Sequence, residues 1–130
     1  MGISPGLRGE VEFTVADADT ARSLGSGSVE VLGTPRVLAW CEAASISALA
    51  DTLPAGMTTV GMRVQLEHIA PSAIGAVIRV DSSLDKVEGR RLTFTVSAHE
   101  DGRLVAAGKV TRVVVNTDEY LSKLDRSHHL

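Results

Sequence analysis

The chain has 130 residues, 44% of them hydrophobic and 22% charged, which suits one folded domain and excludes an intrinsically disordered chain. A net charge of −3 and an aromatic content of 3% exclude the basic face and stacking platform of a nucleic-acid binder. The longest uncharged stretch, residues 37–50, is interrupted by Glu42 and falls short of the roughly 20 residues a membrane span needs, so no membrane partner is expected.

Residues 8–16 (RGEVEFTVA) alternate Val11, Phe13 and Val15 against Glu10, Glu12 and Thr14, the period of a half-buried strand. Residues 17–28 (DADTARSLGSGS) are small and polar and read as a mobile loop with one helical turn; their glycine spacing is not that of a dinucleotide fingerprint. Thr34 is placed to cap the next element and Pro35 to occupy its first position. Residues 37–50 (VLAWCEAASISALA) are apolar almost all round, which predicts a helix enclosed by protein, closed off by Pro54 and Gly56. Strands follow. Residues 60–69 set Met62, Val64, Leu66 and His68 on one face, residues 74–84 carry Ile74, Ala76, Ile78 and Val80 in phase, and the polar tract 85–90 reads as a turn. Residues 91–99 alternate again, Glu100-Asp101-Gly102 signals a hairpin, and the last strand covers about 103–115 with a change of phase near Thr111 and Arg112 that suggests a bulge. The tail 118–130 is polar and expected to fray.

One strand, a loop, one apolar helix and a four-strand meander predict an α+β domain over residues 1–130, with its core at about 7–117. The architecture these patterns satisfy is the hotdog fold, an antiparallel sheet of five to six strands wrapped around one central helix. The first residues, MGISPGLRGE, lack a secretory signal, and the lone Cys41 can form neither an internal disulfide nor a cysteine-based zinc site, so a cytoplasmic protein is expected. A core of Val, Leu, Ile and Ala in a domain this small favours burying further surface in an oligomer.

Two residues stand out chemically. Glu42 is the only charged residue between Arg36 and Asp51, and on a helical wheel it falls beside Leu38, Ser45 and Leu49. A carboxylate there must pair, accept hydrogen bonds or take up a proton. His68 continues the inward phase of its strand and ends it just before Pro71, where loops and sites meet. His99 lies on a polar phase and His128 and His129 in the tail. Cys41 adjoins Glu42 in sequence, but neighbouring helical residues do not face each other, and an inert core thiol is expected. HExxH, CxxC, Walker A and GxSxG motifs are absent, leaving metal, phosphate-loop and serine-hydrolase chemistry without support.

The stretches VLGTPRVLAWCEA (residues 31–43) and VGMRVQLEHIAPS (residues 60–72) resemble the thioesterases of the hotdog superfamily, especially the fluoroacetyl-CoA thioesterase-like group. Thr-Pro opening the helix, a Glu eight residues after the Thr, and a strand ending in His before Ala-Pro are matched by Thr34-Pro35, Glu42 and His68-Ile69-Ala70-Pro71. The resemblance covers about residues 7–117 and implies hydrolysis of an acyl-CoA thioester by Thr34, Glu42 and His68, with no metal and no cofactor beyond coenzyme A as part of the substrate. In that chemistry Glu42 serves as nucleophile or as the base that activates water. His68 positions the water or donates a proton, and Thr34 hydrogen-bonds or attacks. Backbone N–H groups at the helix start would face the oxyanion. Gly61 would let substrate approach the backbone, and Arg112, with Arg36, Arg63 and Arg79, is available for CoA phosphates, although a solvated surface arginine is the plainer expectation for each. The loop Gly25-Ser26-Gly27-Ser28 lacks the bulky aromatics of the fluoroacetyl-specific enzyme's lid, so a more open pocket for a small or medium acyl group is expected. The resemblance also implies a homodimer with acyl-CoA at its interface, or a dimer of dimers.

Two other functions fit the same fold. A hotdog acyl-CoA hydratase is one, although such enzymes use an Asp and His pair on a helix-end loop where this helix offers Glu42. A non-catalytic module binding acyl-CoA or another small ligand is the other.

Overall fold

The computed structural model describes residues 2–128, with side chains described as far as 124. Five strands, β1 (Arg8–Thr14), β2 (Met57–His68), β3 (Val77–Glu88), β4 (Arg91–Glu100) and β5 (Arg103–Asn116), form one antiparallel sheet in the order β1-β3-β4-β5-β2. Between β1 and β2 the chain makes a short 3-10 turn (Asp17–Asp19), a one-turn helix α1 (Ala21–Leu24) capped by Thr20, whose Oγ1 accepts from Ser23 N at 3.2 Å, and the long helix α2 (Thr34–Ala48).

Helix α2 lies across one face of the sheet. Val37, Trp40, Cys41, Ala44, Ser45 and Ala48 recur at helical spacing and are buried against Val80, Phe94, Val96, Val110 and Val114 of the strands. Small side chains bring the layers close. Gly9 of β1 sits where a Cβ would overlap the carbonyl oxygen of Ala44 and come within 2.6 Å of Ala48 N, so only glycine fits. Buried hydroxyls fix the register: Ser45 Oγ donates to Cys41 O at 2.9 Å and accepts from Ser82 Oγ of β3 at 2.9 Å. At the other flank the Phe13 and Trp40 rings stack 4.6 Å apart and within 2° of parallel.

Several details depart from the sequence expectations. The four later strands are not one meander: β3, β4 and β5 are, but β2 pairs with β5 at the sheet edge rather than with β3. The enclosure of α2 is met on one side only: Leu38, Glu42 and Ala43 are half-buried, and Ala39 and Ile46 are exposed, so an apolar flank beside the edge strand β2 is open within one chain. Strand β2 begins at Met57 rather than at 60. Strand β3 begins at Val77 rather than at 74, because Gly75 turns the chain with φ 92°, and it runs through the polar tract to Glu88, where Asp85, Lys86 and Glu88 are exposed and Val87 packs against the core. The change of phase near Thr111 and Arg112 is not a bulge of β5. Val110, Arg112 and Val114 are all buried, and the extra residue is Met62 on the partner strand, between the pairs Gly61–Arg112 and Arg63–Thr111; Met62 is therefore exposed rather than inward. The bulge of β5 itself is at Val105. The tail expected to fray forms a helix, α3 (Thr117–His128), opened by Asn116, whose Oδ1 accepts from Glu119 N at 3.0 Å; His129 and Leu130 lie outside the described residues.

Candidate active site

The Val105 bulge sets the first half of the site. Its carbonyl accepts both Ile69 N at 2.8 Å and Ala70 N at 3.2 Å, pinning the chain just past His68. On the other side of the loop, Leu32 N donates to Ser72 O at 2.9 Å and Val31 bridges Ala73, so the residues leading into α2 run beside the end of β2. The helix start is thereby delivered to the imidazole, and Thr34 Oγ1 lies 2.7 Å from His68 Nδ1.

Thr34 does not cap its helix. Gly33 is the N-cap residue, and its carbonyl accepts from Arg36 N at 3.0 Å and Val37 N at 3.1 Å. The Thr34 hydroxyl therefore makes no capping bond and faces His68 from an exposed position. Burial lowers the His68 pKa below its ordinary value, with the backbone of Ala70 pulling the other way; the neutral ring, with a lone pair for a hydroxyl proton, is favoured.

The second half lies further along α2. Arg112 Nη1 donates to Glu42 Oε2 at 2.7 Å, Nε donates to Thr59 Oγ1 at 2.9 Å, and Nη2 donates to Thr59 O at 2.9 Å. Arg112 is 6% exposed, which overturns the expectation of a solvated arginine: its place in the inward phase of β5 is explained by the carboxylate it meets. Glu42 stays 29% exposed at its side chain, so the pair holds the carboxylate without sealing it from solvent. Gly61 completes the arrangement. A Cβ there would stand 2.7 Å from Glu42 Oε2, so the missing side chain is the space the carboxylate occupies. Arg36 is paired with Asp19 at 2.9 Å, Arg79 stands 3.9 Å from both Glu10 and Asp81, and Arg63 is exposed on β2.

The two halves do not meet within one chain. Thr34 and Glu42 are eight residues apart on one helix, about 12 Å along its axis. Thr59, which holds two of the Arg112 nitrogens, was not singled out by sequence; a threonine in a strand gives no signal until its partner is known. Cys41 is buried under the sheet with its thiol pKa pushed up to about 12, first by burial and second by the Glu42 carboxylate, which leaves it inert.

A cleft of about 280 Å³ opens beside Thr34 and His68. Among the described residues no three His, Cys, Asp or Glu side chains gather as a metal-binding group, and no helix is long and apolar enough to cross a membrane.

Known proteins resemble this chain in sequence and in fold. The family model described as fluoroacetyl-CoA-specific thioesterase matches residues 15–118. The fluoroacetyl-CoA thioesterase of Streptantibioticus cattleyicolor is 30% identical over 129 residues, 95% of this chain and 93% of that one. Among solved structures, a mutant of the fluoroacetyl-CoA-specific thioesterase FlK in complex with fluoroacetate and CoA superposes with a TM-score of 0.85 at 28% identity, covering 91% of this chain and 99% of that one. A hot-dog-like protein from Thermanaerovibrio acidaminovorans superposes with a TM-score of 0.88 at 26% identity, covering 96% and 93%. Matched by that family model over most of its length, and with a helix laid on a five-stranded antiparallel sheet, the chain belongs to the fluoroacetyl-CoA-specific thioesterase family and is a thioester hydrolase of the hotdog fold.

Proposed function

We propose that the chain hydrolyses acyl-CoA thioesters with Thr34, His68 and Glu42 as its catalytic residues, and that it does so as a cytoplasmic homodimer. The observation that carries the assignment is the 2.7 Å contact between the Thr34 hydroxyl and His68 Nδ1, a nucleophile within hydrogen-bond reach of a base whose neutral form burial favours. Thr34 Oγ1 attacks the thioester carbonyl while His68 Nδ1 takes its proton. The carbon–sulfur bond then breaks, and the proton passes to the CoA thiolate, leaving an ester on Thr34. Glu42, steadied by Arg112, takes a proton from the water that attacks this ester; the carboxylic acid departs and the proton returns to the Thr34 oxygen. The start of α2 supports the developing oxyanion: Pro35 brings no N–H and Arg36 and Val37 donate to Gly33, so Thr34 supplies the donor at the helix end. No metal enters these steps, and coenzyme A takes part only as the leaving group.

Separation of the two halves along α2 supports the homodimer. Two copies of the helix, paired antiparallel by a two-fold axis at Leu38, midway between Thr34 and Glu42, set Thr34 and His68 of one protomer beside the partner's Glu42. The open flank carrying Ala39, Ala43 and the 52% exposed Ile46 is the apolar surface such a pairing covers. Release of free CoA from acyl-CoAs by the wild type, and its loss in Glu42→Gln and His68→Gln, tests the function.

A further inference from the structure

The cleft beside Thr34 and His68 has a lining that selects one kind of chemistry. Apart from those two residues and Ser26, it is aliphatic, with Ala21, Val29, Leu32, Ile69 and Pro71 among its walls, and no lining residue is acidic, lysine or arginine. Two arginines in the neighbouring segments are committed elsewhere, Arg22 to Glu30 at 3.0 Å and Arg36 to Asp19 at 2.9 Å. Val29 and Ile69 stand 58% and 57% exposed and add apolar surface beside Thr34 and His68.

Several backbone N–H groups in these walls are already engaged. Ala21 N donates to Val31 O at 2.8 Å, Leu32 N to Ser72 O at 2.9 Å, Ser26 N to Ala21 O at 2.8 Å, and Ile69 N and Ala70 N to Val105 O; Pro71 has no N–H. The amides of a pantetheine arm entering here would lose their water and gain few partners, and a carboxylate or phosphate would meet no counter-charge among the lining residues; Arg103, which donates to Pro71 O at 3.0 Å, is paired with Glu100 at 3.1 Å. An alkyl chain loses nothing. Volume agrees: an apolar cavity of about 150 Å³ accepts a six-carbon ring, and this cleft has about 280 Å³.

We infer that this cleft is the acyl-chain subsite and that it selects uncharged aliphatic acyl groups of medium length, about four to eight carbons, over two-carbon and dicarboxylic ones, with Val29 and Ser26 setting its depth. The inference rests on the thioesterase function proposed above and names its substrate class. Binding of S-alkyl-CoA thioethers, which carry no carbonyl and cannot turn over, tests it by calorimetry on the full-length protein. S-hexyl-CoA binds about thirtyfold or more tightly than S-ethyl-CoA, from a gain of up to about fourfold per buried methylene. Val29→Trp and Ser26→Trp, both at exposed positions and outside the catalytic pairs, fill the cleft and cut that preference at least tenfold by weakening the binding of S-hexyl-CoA. Equal affinity for the two thioethers, absence of binding by either, or an unchanged preference in both variants overturns the inference. Thiol release from acetyl-, hexanoyl- and succinyl-CoA separates the two claims. A thioether preference without turnover of any ester removes the thioesterase function and keeps the subsite; turnover with acetyl- or succinyl-CoA preferred removes the subsite and keeps the function.

Discussion

Glu42 Oε2 and Arg112 Nη1 meet at 2.7 Å across the join between the central helix and the sheet, seventy residues apart in sequence. Their pairing explains how a carboxylate is held on a helix whose residues 37–48 are otherwise apolar or small, and how a buried arginine is held in a valine-rich strand. Truncating either partner has different consequences. Arg112→Ala leaves Glu42 without its counter-charge and Thr59 without its donor, so it destabilises the fold by about 3 kcal/mol or more and lowers activity with it. Glu42→Gln keeps a hydrogen-bond acceptor for the guanidinium, costs about 1–2 kcal/mol, and lowers kcat by about a hundredfold or more. Thermal unfolding measured beside thiol release distinguishes the two patterns.

Gly61 is a test of space rather than of chemistry. In Gly61→Ala the new methyl group stands 2.7 Å from the position of Glu42 Oε2, and the carboxylate, a side-chain end, swings away. The expected result is a Tm within a few degrees of wild type with kcat lowered by about tenfold or more, since small displacements of a catalytic group are costly. Retention of full activity would show that the carboxylate position is not critical.

Under the proposed mechanism the His68 imidazole sets an acid limb to the pH profile. Burial lowers its pKa, so the neutral base persists to lower pH than an exposed imidazole allows, and activity falls only as pH drops through that lowered value. The acid midpoint of kcat/KM is expected below the ordinary histidine value of about 6.5. In His68→Gln the residual activity loses this limb. Thr34→Ser keeps the hydroxyl and most of the activity, whereas Thr34→Ala loses about a hundredfold or more. Mass spectrometry of quenched wild-type reactions is expected to find the acyl group on the peptide containing Thr34.

The proposed sharing of the site between protomers predicts complementation. Thr34→Ala and Glu42→Gln are each inactive as homodimers, but mixed after unfolding and refolding they form heterodimers in which one of the two sites is fully wild type, and activity recovers toward a quarter of the wild-type level. If all three residues act within one chain, no mixture recovers. Ile46→Asp, on the open flank of α2, shifts the protein to monomers in analytical ultracentrifugation and removes activity with the dimer.

Cys41 is expected to stay silent. With its thiol pKa near 12 and its side chain buried, it reacts with a chromogenic disulfide only on unfolding, so thiol detected from the native protein during turnover is CoA.

Much of this was legible in the residues. The strand alternation of Val11, Phe13 and Val15 and of Leu92, Phe94 and Val96 marks buried faces directly, and Glu42 and His68 stand out because each is polar where its neighbours are not. What escaped depended on contacts between distant segments. Pattern alone could not show that Arg112 is buried, because its partner lies on a helix seventy residues away and the bulge that restores the strand pairing is on β2 at Met62. Thr34 has the right residue type for a cap, and only the path of the chain from Leu32 to Thr34 beside Ser72 shows that Gly33 takes that place and frees the hydroxyl for His68. Similarly, the near-uniform apolarity of residues 37–50 cannot distinguish a flank covered by the chain's own sheet from one left open for a second copy.

The most direct test of the central assignment is CoA release from a panel of acyl-CoAs, from acetyl to octanoyl, by the wild type, Thr34→Ala, Glu42→Gln and His68→Gln at equal fold and oligomeric state. Turnover by the wild type that falls about a hundredfold or more in each of the three variants is the predicted result. Turnover that survives all three substitutions, or a folded wild type that releases no CoA from any member of the panel, contradicts the account.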